Sequence, residues 1–314
     1  MPTSVVKTTL NYFLELENGG GQAYCLGTVG EKRRKYQEAE VNVNDIRGHE
    51  QDFHLDGNGF QFLNAPCTEK TFDDDERIKE SYYPEVIDLI KRVTGATLVK
   101  PRAHTVRRWT WEQALETEKH LPDEARSVGP ATSNFVHCDL SINGARDRIS
   151  KNASNEDEII PKCRWAMINV WRPFDYPVTR NALCVVDSHS IRPDELRKVD
   201  IVFPVRRDSA HAHAPPATHS SQAPKNAKSD YYALGTGYVE GLQLAAPRTP
   251  DQHKWYYLSK MTPDEVLLLK IADSRPDVAN FCFHTSFASD EDYGPDRHSI
   301  EVRCAVFRED QAGE

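Results

Sequence analysis

No run of apolar residues in this chain reaches the ~18 needed to span a bilayer, so a membrane is not expected as its setting. There is no Cys-x-x-Cys either. The seven cysteines (Cys25, Cys67, Cys138, Cys163, Cys184, Cys282 and Cys304) are scattered. An odd, unpatterned set reads as reduced thiols, and the expected compartment is the cytoplasm. Positive charge is short as well: 39 Lys and Arg stand against 48 Asp and Glu, a net charge of −9. Such a surface repels nucleic acid and anionic membranes, so neither is expected as a partner. The start, MPTSVVKTTLNYF, has no basic stretch leading into an apolar core, so no secretory signal is expected. Also missing are Gly-x-Ser-x-Gly, His-Glu-x-x-His, internal repeats and βαβ alternation. Their absence argues against the common hydrolases and against a Rossmann-like fold. GTGYVEG (235–241) is too poor a nucleotide turn for a methyltransferase, and Asp187, Ser188 and His189 are neighbours that a strand would point apart.

What is present suits a soluble globular enzyme: 314 residues, 39% apolar and 28% charged. Length alone suggests two domains of roughly 150 residues, but β barrels often run longer as one, and a single domain over 1–314 is expected. VNVNDIRG (41–48) reads as a strand ending at Gly48, and LDGNGFQFL (55–63) carries turn chemistry at Asp56-Gly57-Asn58-Gly59. Asp73, Asp74, Asp75 and Glu76 read as a solvated face. From Tyr83-Pro84-Glu85, the spacing of Val86, Leu89, Ile90 and Val93 predicts a helix over 84–95, stopped by Gly95. Strands are predicted within 96–111, 134–142, 165–174, 181–188, 254–258, 278–284 and 298–307, with a short helix and loop over 113–130. Thr262-Pro263-Asp264-Glu265 has the form of a capping box and predicts a second helix over 262–273. The low-complexity stretch 206–230, with His211, His213 and His219, reads as a mobile loop. The fold class expected is mainly β, with helices flanking a sheet sandwich.

The chemistry concentrates in NFVHCDLS and FCFHTSF. In a strand, residues i and i+2 face the same way, so His137 and Asp139 share a side. His284, 147 positions on, has to come from a distant strand. That suits a closed double-stranded β-helix, or jelly roll, where early and late strands are neighbours. Two imidazoles and one carboxylate suit Fe(II), leaving coordination positions open for co-substrate and dioxygen. A His-x-Asp alone is cheap, and its bland reading is a chance pair. The later strand RHSIEVR adds weight, because Arg297, Ser299, Glu301 and Arg303 share one face. Buried arginines call for an anion, and a guanidinium fork matches a carboxylate. The alternative is an exposed face whose charges pair with one another.

Taken together, VNVNDIRGHEQDFHLDGNGFQF, ESYYPEVIDLIKRVTGA, HTVRR, FVHCDLS, NVWRPF, KWYYLSKMTPDEVLLLKIADS, FHTSF and RHSIEVR span most of the chain. In them the chain resembles the fungal and bacterial hydroxylase/desaturase family. That family includes gibberellin-desaturase-like and cephalosporin-methoxylase-related proteins, among the Fe(II)/2-oxoglutarate-dependent oxygenases. The resemblance implies iron held by His137, Asp139 and His284, with 2-oxoglutarate and dioxygen as co-substrates. It implies Arg297 on the distal carboxylate of 2-oxoglutarate, with Ser299 and Arg303 beside it. In NVWRP either strand face could line the pocket, which makes Asn169 and Arg172 candidates there. Arg107, Arg108 and Tyr83 are candidates for the substrate wall, each with a structural reading beside it. The implied reaction oxidises an unactivated C–H bond of a small molecule of secondary metabolism, by hydroxylation, desaturation or cyclisation. The substrate class includes amino acids and other carboxylates, and the protein would be a monomer or homodimer. Two rivals differ in what they need. A cupin-like metalloenzyme without 2-oxoglutarate would keep the triad but not Arg297. A non-catalytic β-sandwich binding protein would let His137, Asp139 and His284 diverge.

Overall fold

The computed structural model describes residues 4–151, 162–203 and 237–313. The 206–230 segment, with His211, His213 and His219, lies outside the described residues. Among those described, fourteen strands form two sheets. The larger sheet runs in the order β1 (Ser4–Tyr12), β3 (Gln37–Asp45), β11 (Trp255–Tyr257), β8 (Leu183–Val186), β13 (His284–Ser286), β6 (His137–Cys138), β10 (Gly237–Leu244), β9 (Leu196–Phe203) and β2 (Ala23–Cys25). The smaller runs β4 (Phe60–Asn64), β12 (Glu265–Asp273), β7 (Cys163–Pro173), β14 (Ser299–Ala312) and β5 (Leu98–Arg107). Strands far apart in sequence are neighbours throughout, as a jelly roll requires.

The smaller sheet is buried on both faces, and strict alternation sorts its side chains. From β7, Trp165, Met167 and Trp171 enter a core shared with the larger sheet, where Leu10, Val43, Val185 and Leu242 meet them. The intervening Ala166, Ile168 and Val170 face the other way, onto a second core. The helix Tyr83–Thr94 closes that second core with Val86, Leu89 and Ile90, and ends at Gly95 with φ of +69°. This is the helix expected from the periodicity.

The helix expected over 262–273 is instead β12. Thr262-Pro263-Asp264-Glu265 forms a turn in which the Glu265 N–H donates to Thr262 O at 2.9 Å. The Glu265 carboxylate accepts from Thr262 N (2.7 Å) and pairs with Arg47. The physical reason lies in the run that follows. A helix at the edge of a core needs one apolar stripe, but Leu267 and Leu269 enter the inner core while Val266 and Leu268 enter the outer one. A continuous apolar run does not distinguish a doubly buried strand from a helix, and here the two-sided burial decides. Two other strands are shorter than expected: β6 is only two residues within 134–142, and β13 begins only at His284.

The turn at 56–59 is a single helical turn, Leu55–Asn58, closed by Gly59 at φ of +90°. A Cβ on Gly59 would lie 2.5 Å from Phe281 O, so glycine lets this turn approach the segment leading into His284. Lys270, fully buried in β12, pins the same turn by bonding Asp56 and Asp273. Arg164 from β7 donates to both carboxylates as well. Removing Lys270 leaves Asp273 and Asp56 to Arg164, and losing one partner of such buried hydrogen bonds typically costs about 1–3 kcal/mol. Lys270→Met is therefore expected to lower unfolding free energy by about that amount, read by urea denaturation. A loss of under about 1 kcal/mol would show that the network is not a load on the fold.

Candidate metal centre and its two cavities

Strands β6 and β13 are adjacent and antiparallel, and their register sets His137 directly opposite His284. Opposed residues on one sheet face have close Cβ atoms, and these two rings are 4.4 Å apart between centroids. Asp139 follows at i+2, on the same side. Its Oδ1 lies 3.6 Å from His137 Nε2 and 3.9 Å from His284 Nε2. The three donor atoms all fall within 4.8 Å of one another.

The backbone orients each imidazole. His137 Nδ1 lies 2.8 Å from Phe135 O, and His284 Nδ1 lies 3.0 Å from Cys282 O. A carbonyl only accepts, so each Nδ1 donates its hydrogen there, which turns each Nε2 toward Asp139. Burial, with His284 nearby, pushes His137 down to about 4, so its ring is neutral as a metal ligand must be.

The second oxygen of Asp139 is occupied from the smaller sheet. Oδ2 accepts from Asn169 Nδ2 (2.8 Å) and Arg303 Nε (2.9 Å). Burial alone would raise this carboxyl, but Arg303, the two histidines and Asn169 outweigh it and hold it well below the usual range. Beneath them sits Glu301, also buried. It accepts from Asn169 Nδ2 (2.6 Å), Arg107 Nη1 (2.9 Å) and Arg303 Nη2 (3.1 Å).

A narrow cavity opens on one side of the triad, lined by His137, His284, Trp171, Leu183, Arg107 and Arg297. Arg297 is buried, with Nη1 donating to Asn181 O (2.7 Å) and its guanidinium carbon 5.3 Å from the Trp171 ring centre. Its Nε and the Ser299 hydroxyl have no hydrogen-bond partner among the described residues. Burial, and then the nearby Arg107, push Arg297 down to about 9. A cation so placed is poorly compensated, and an anion in this cavity would restore the balance. On the other side lies a larger chamber with about 810 Å³ of empty space, part of it open to solvent. Tyr24, Phe135, Met167, Ile201 and Phe203 supply apolar stretches of its wall, and Arg102, Arg107, Arg148 and Glu31 supply charge. Burial raises the Glu31 carboxyl above its ordinary value, against the pull of the Gly27 N–H and nearby cations. Arg107 and Ser133 line both cavities.

The donor set therefore fits a divalent ion of the iron type, and the orphaned Arg297 and Ser299 atoms fit a carboxylate beside it. The triad converges rather than diverging, which a plain binding sandwich would not need. Asn169 and Arg303 lie against Asp139 rather than at the Arg297 end. Three expected site residues lie elsewhere. Arg172 is on the even-numbered face of β7, pointing into the outer core, where it donates to Tyr82 OH, Pro263 O and Ala65 O. Arg108 faces outward to Asp175 and Thr71 O. Tyr83 hydrogen-bonds His104 Nδ1 (3.0 Å) on the far side of the smaller sheet. Strand parity separates Arg172 from the triad, while Tyr83 lies on the helix Tyr83–Thr94, outside the smaller sheet. Glu31, Ser133 and Glu301 had no assigned role in the sequence reading. The one available signal was that Glu301 stands between two arginines on the shared face of β14.

A family model described as an Oxidoreductase/YMDC permease-like domain matches residues 10–307. Among the described residues, no helix is long and apolar enough to cross a membrane. A hydroxylase/desaturase of Hormonema carpetanum is 39% identical over 98% of this chain and 97% of its own length. An alpha-ketoglutarate-dependent dioxygenase of a fungal species is 30% identical, covering 96% of each chain. Among solved structures, an iron and alpha-ketoglutarate-dependent endoperoxidase shares the fold, with a TM-score of 0.71 and 23% identity over 97% of this chain and 98% of its own.

Arg303 joins two buried carboxylates of like charge; its loss takes the guanidinium from Asp139, while Glu301 keeps Arg107. Arg303→Met is expected to cost about 3–5 kcal/mol in urea unfolding of the metal-free protein. An unchanged midpoint would mean that solvent screens these carboxylates more than their burial implies.

Proposed function

This chain belongs to the fungal hydroxylase/desaturase family of Fe(II)/2-oxoglutarate-dependent oxygenases, and we propose that it oxidises a C–H bond of a largely apolar small molecule held in the chamber beside His137, Asp139 and His284. In this reading the two Nε2 atoms and Asp139 Oδ1 hold the iron. Arg297 holds the distal carboxylate of 2-oxoglutarate, with the Ser299 hydroxyl as a further partner. The observation that carries it is Arg297: a buried guanidinium, incompletely bonded, in a cavity that His137 and His284 also line. A 2-oxoglutarate-independent metalloenzyme would gain nothing from that arrangement.

Fe(II) with 2-oxoglutarate and dioxygen supplies the oxidising power, and the protein supplies position and seclusion. Asn169 and Arg303 keep Asp139 ionised and aimed. Phe135, its ring tilted against that of His137 with centroids 4.6 Å apart, supports that ring and walls the chamber. The apolar stretches of the lining suit a polyketide or terpenoid skeleton, and the arginines among them suit acidic groups on it. An acidic group on that skeleton would meet Arg107, whose Nε and Nη1 are engaged by Ala131 O and Glu301, leaving Nη2. Hydroxylation, desaturation and endoperoxide formation share this machinery and differ in where the C–H bond sits.

Anaerobic addition of Fe(II) and 2-oxoglutarate should produce the visible charge-transfer band of the chelate. No band from the wild-type protein would sink this reading. Arg297→Ala should weaken 2-oxoglutarate on the order of 30-fold or more, as expected for removing a buried charged partner. An unchanged affinity would remove Arg297 from the role while leaving the iron site standing.

A further inference from the structure

We propose that Glu301 is a positioning residue of the iron centre: acting through Asn169 and Arg303, it decides which oxygen of Asp139 is offered to the metal. The inference rests on the iron role of the triad argued above.

The hydrogen-bond pattern is divided with little slack. Asn169 Nδ2 has two hydrogens; one goes to Asp139 Oδ2 (2.8 Å) and the other to Glu301 Oε1 (2.6 Å). Arg303 divides its fork the same way. Nε goes to Asp139 Oδ2 (2.9 Å), Nη2 to Glu301 Oε2 (3.1 Å) and Nη1 to Thr105 Oγ1 (3.0 Å). Asp139 Oδ2 is thereby saturated with two donors, and Oδ1 alone faces the two Nε2 atoms. Glu301 accepts the other half of each donor pair, and so keeps both side chains from swinging wholly onto Asp139. Were Glu301 absent, the guanidinium would be free to grip Asp139 with two parallel bonds, the arrangement such forks favour. That grip would occupy Oδ1, the oxygen the metal needs.

Charge leads to the same conclusion. Arg107, Arg303 and Arg297 all lie at or beside the site, and a dication placed among them is repelled. Glu301 offsets this by pairing directly with two of them, Arg107 at 2.9 Å and Arg303 at 3.1 Å. Because Arg107 also lines both cavities, one carboxylate ties the walls of co-substrate and substrate to the metal ligand. A purely structural Glu301 would hold the fold together without affecting how the folded protein binds metal.

The test is Co(II) binding to the metal-free protein, read by calorimetry and by the visible d–d spectrum, beside thermal unfolding of the same samples. Glu301→Gln should bind Co(II) about 10- to 100-fold more weakly, the usual range for losing such an outer partner. Its spectrum should also shift, reporting a changed carboxylate. Should that variant fail to fold, Glu301→Asp retains the charge and the fold but withdraws the oxygens, and it should still bind several-fold more weakly. Arg108→Gln removes a neighbouring cation that faces outward to Asp175 and should not weaken Co(II). Unchanged affinity and spectrum in the folded Glu301 variants would overturn the proposal. So would an equal loss in Arg108→Gln, which would point to general disruption. Wild-type protein that bound no Co(II), or a His284→Ala variant that bound it equally, would remove the iron role of the triad and this inference with it.

Discussion

The pairing of β6 with β13 is the constraint on which the rest depends. It is a single register point, His284 against His137, between two very short strands. Because the side-chain period in a strand is two, a slip of one residue would turn one imidazole away and leave no site. The neighbours enforce the register. β8 pairs with β13 over three residues, and β10 holds β6 from the other side. The backbone carbonyls of Phe135 and Cys282 then orient the rings. Gly59 permits the close approach of the turn that supports the segment before His284.

The smaller sheet has a different task. Its inward face supplies Asn169, Glu301 and Arg303, a buried lattice of opposed charges that would be unfavourable without near-complete pairing. Its outward face supplies the apolar side chains that the helix Tyr83–Thr94 covers. The same strands are thus core on one side and electrostatic support on the other. The candidate metal ligands belong with the larger sheet and the partners of Asp139 come from the smaller, so the full constellation exists only while the two remain packed. Where Asp139 meets Asn169 and Arg303, packing and chemistry are the same contact.

Much of this was legible in the residues. The all-round β character, the helix at 83–94, and the nearness of His137, Asp139 and His284 follow from periodicity, spacing and family resemblance. That Arg297 shares a face with Ser299, Glu301 and Arg303 follows from strand parity, and its place beside the triad was implied by the family resemblance. The failures share a cause. The strand β12 reads as a helix because its capping-box residues are real and its apolar run is silent about which side is covered. Arg172 is a candidate only while either face of NVWRP could line the pocket, and its even-numbered face turns to the outer core; Tyr83 lies on the helix that covers that core.

The linear chain by itself determined the donor set, the charge of the surface, and which residues share a strand face, because those depend on side-chain chemistry and on a backbone period of two. Only the tertiary structure decided which face looks inward and which strand lies beside which. It also decided that an Arg in β14 should serve Asp139 rather than a co-substrate. Those outcomes depend on burial against distant partners, and desolvation is a property of the whole packed volume rather than of any segment within it.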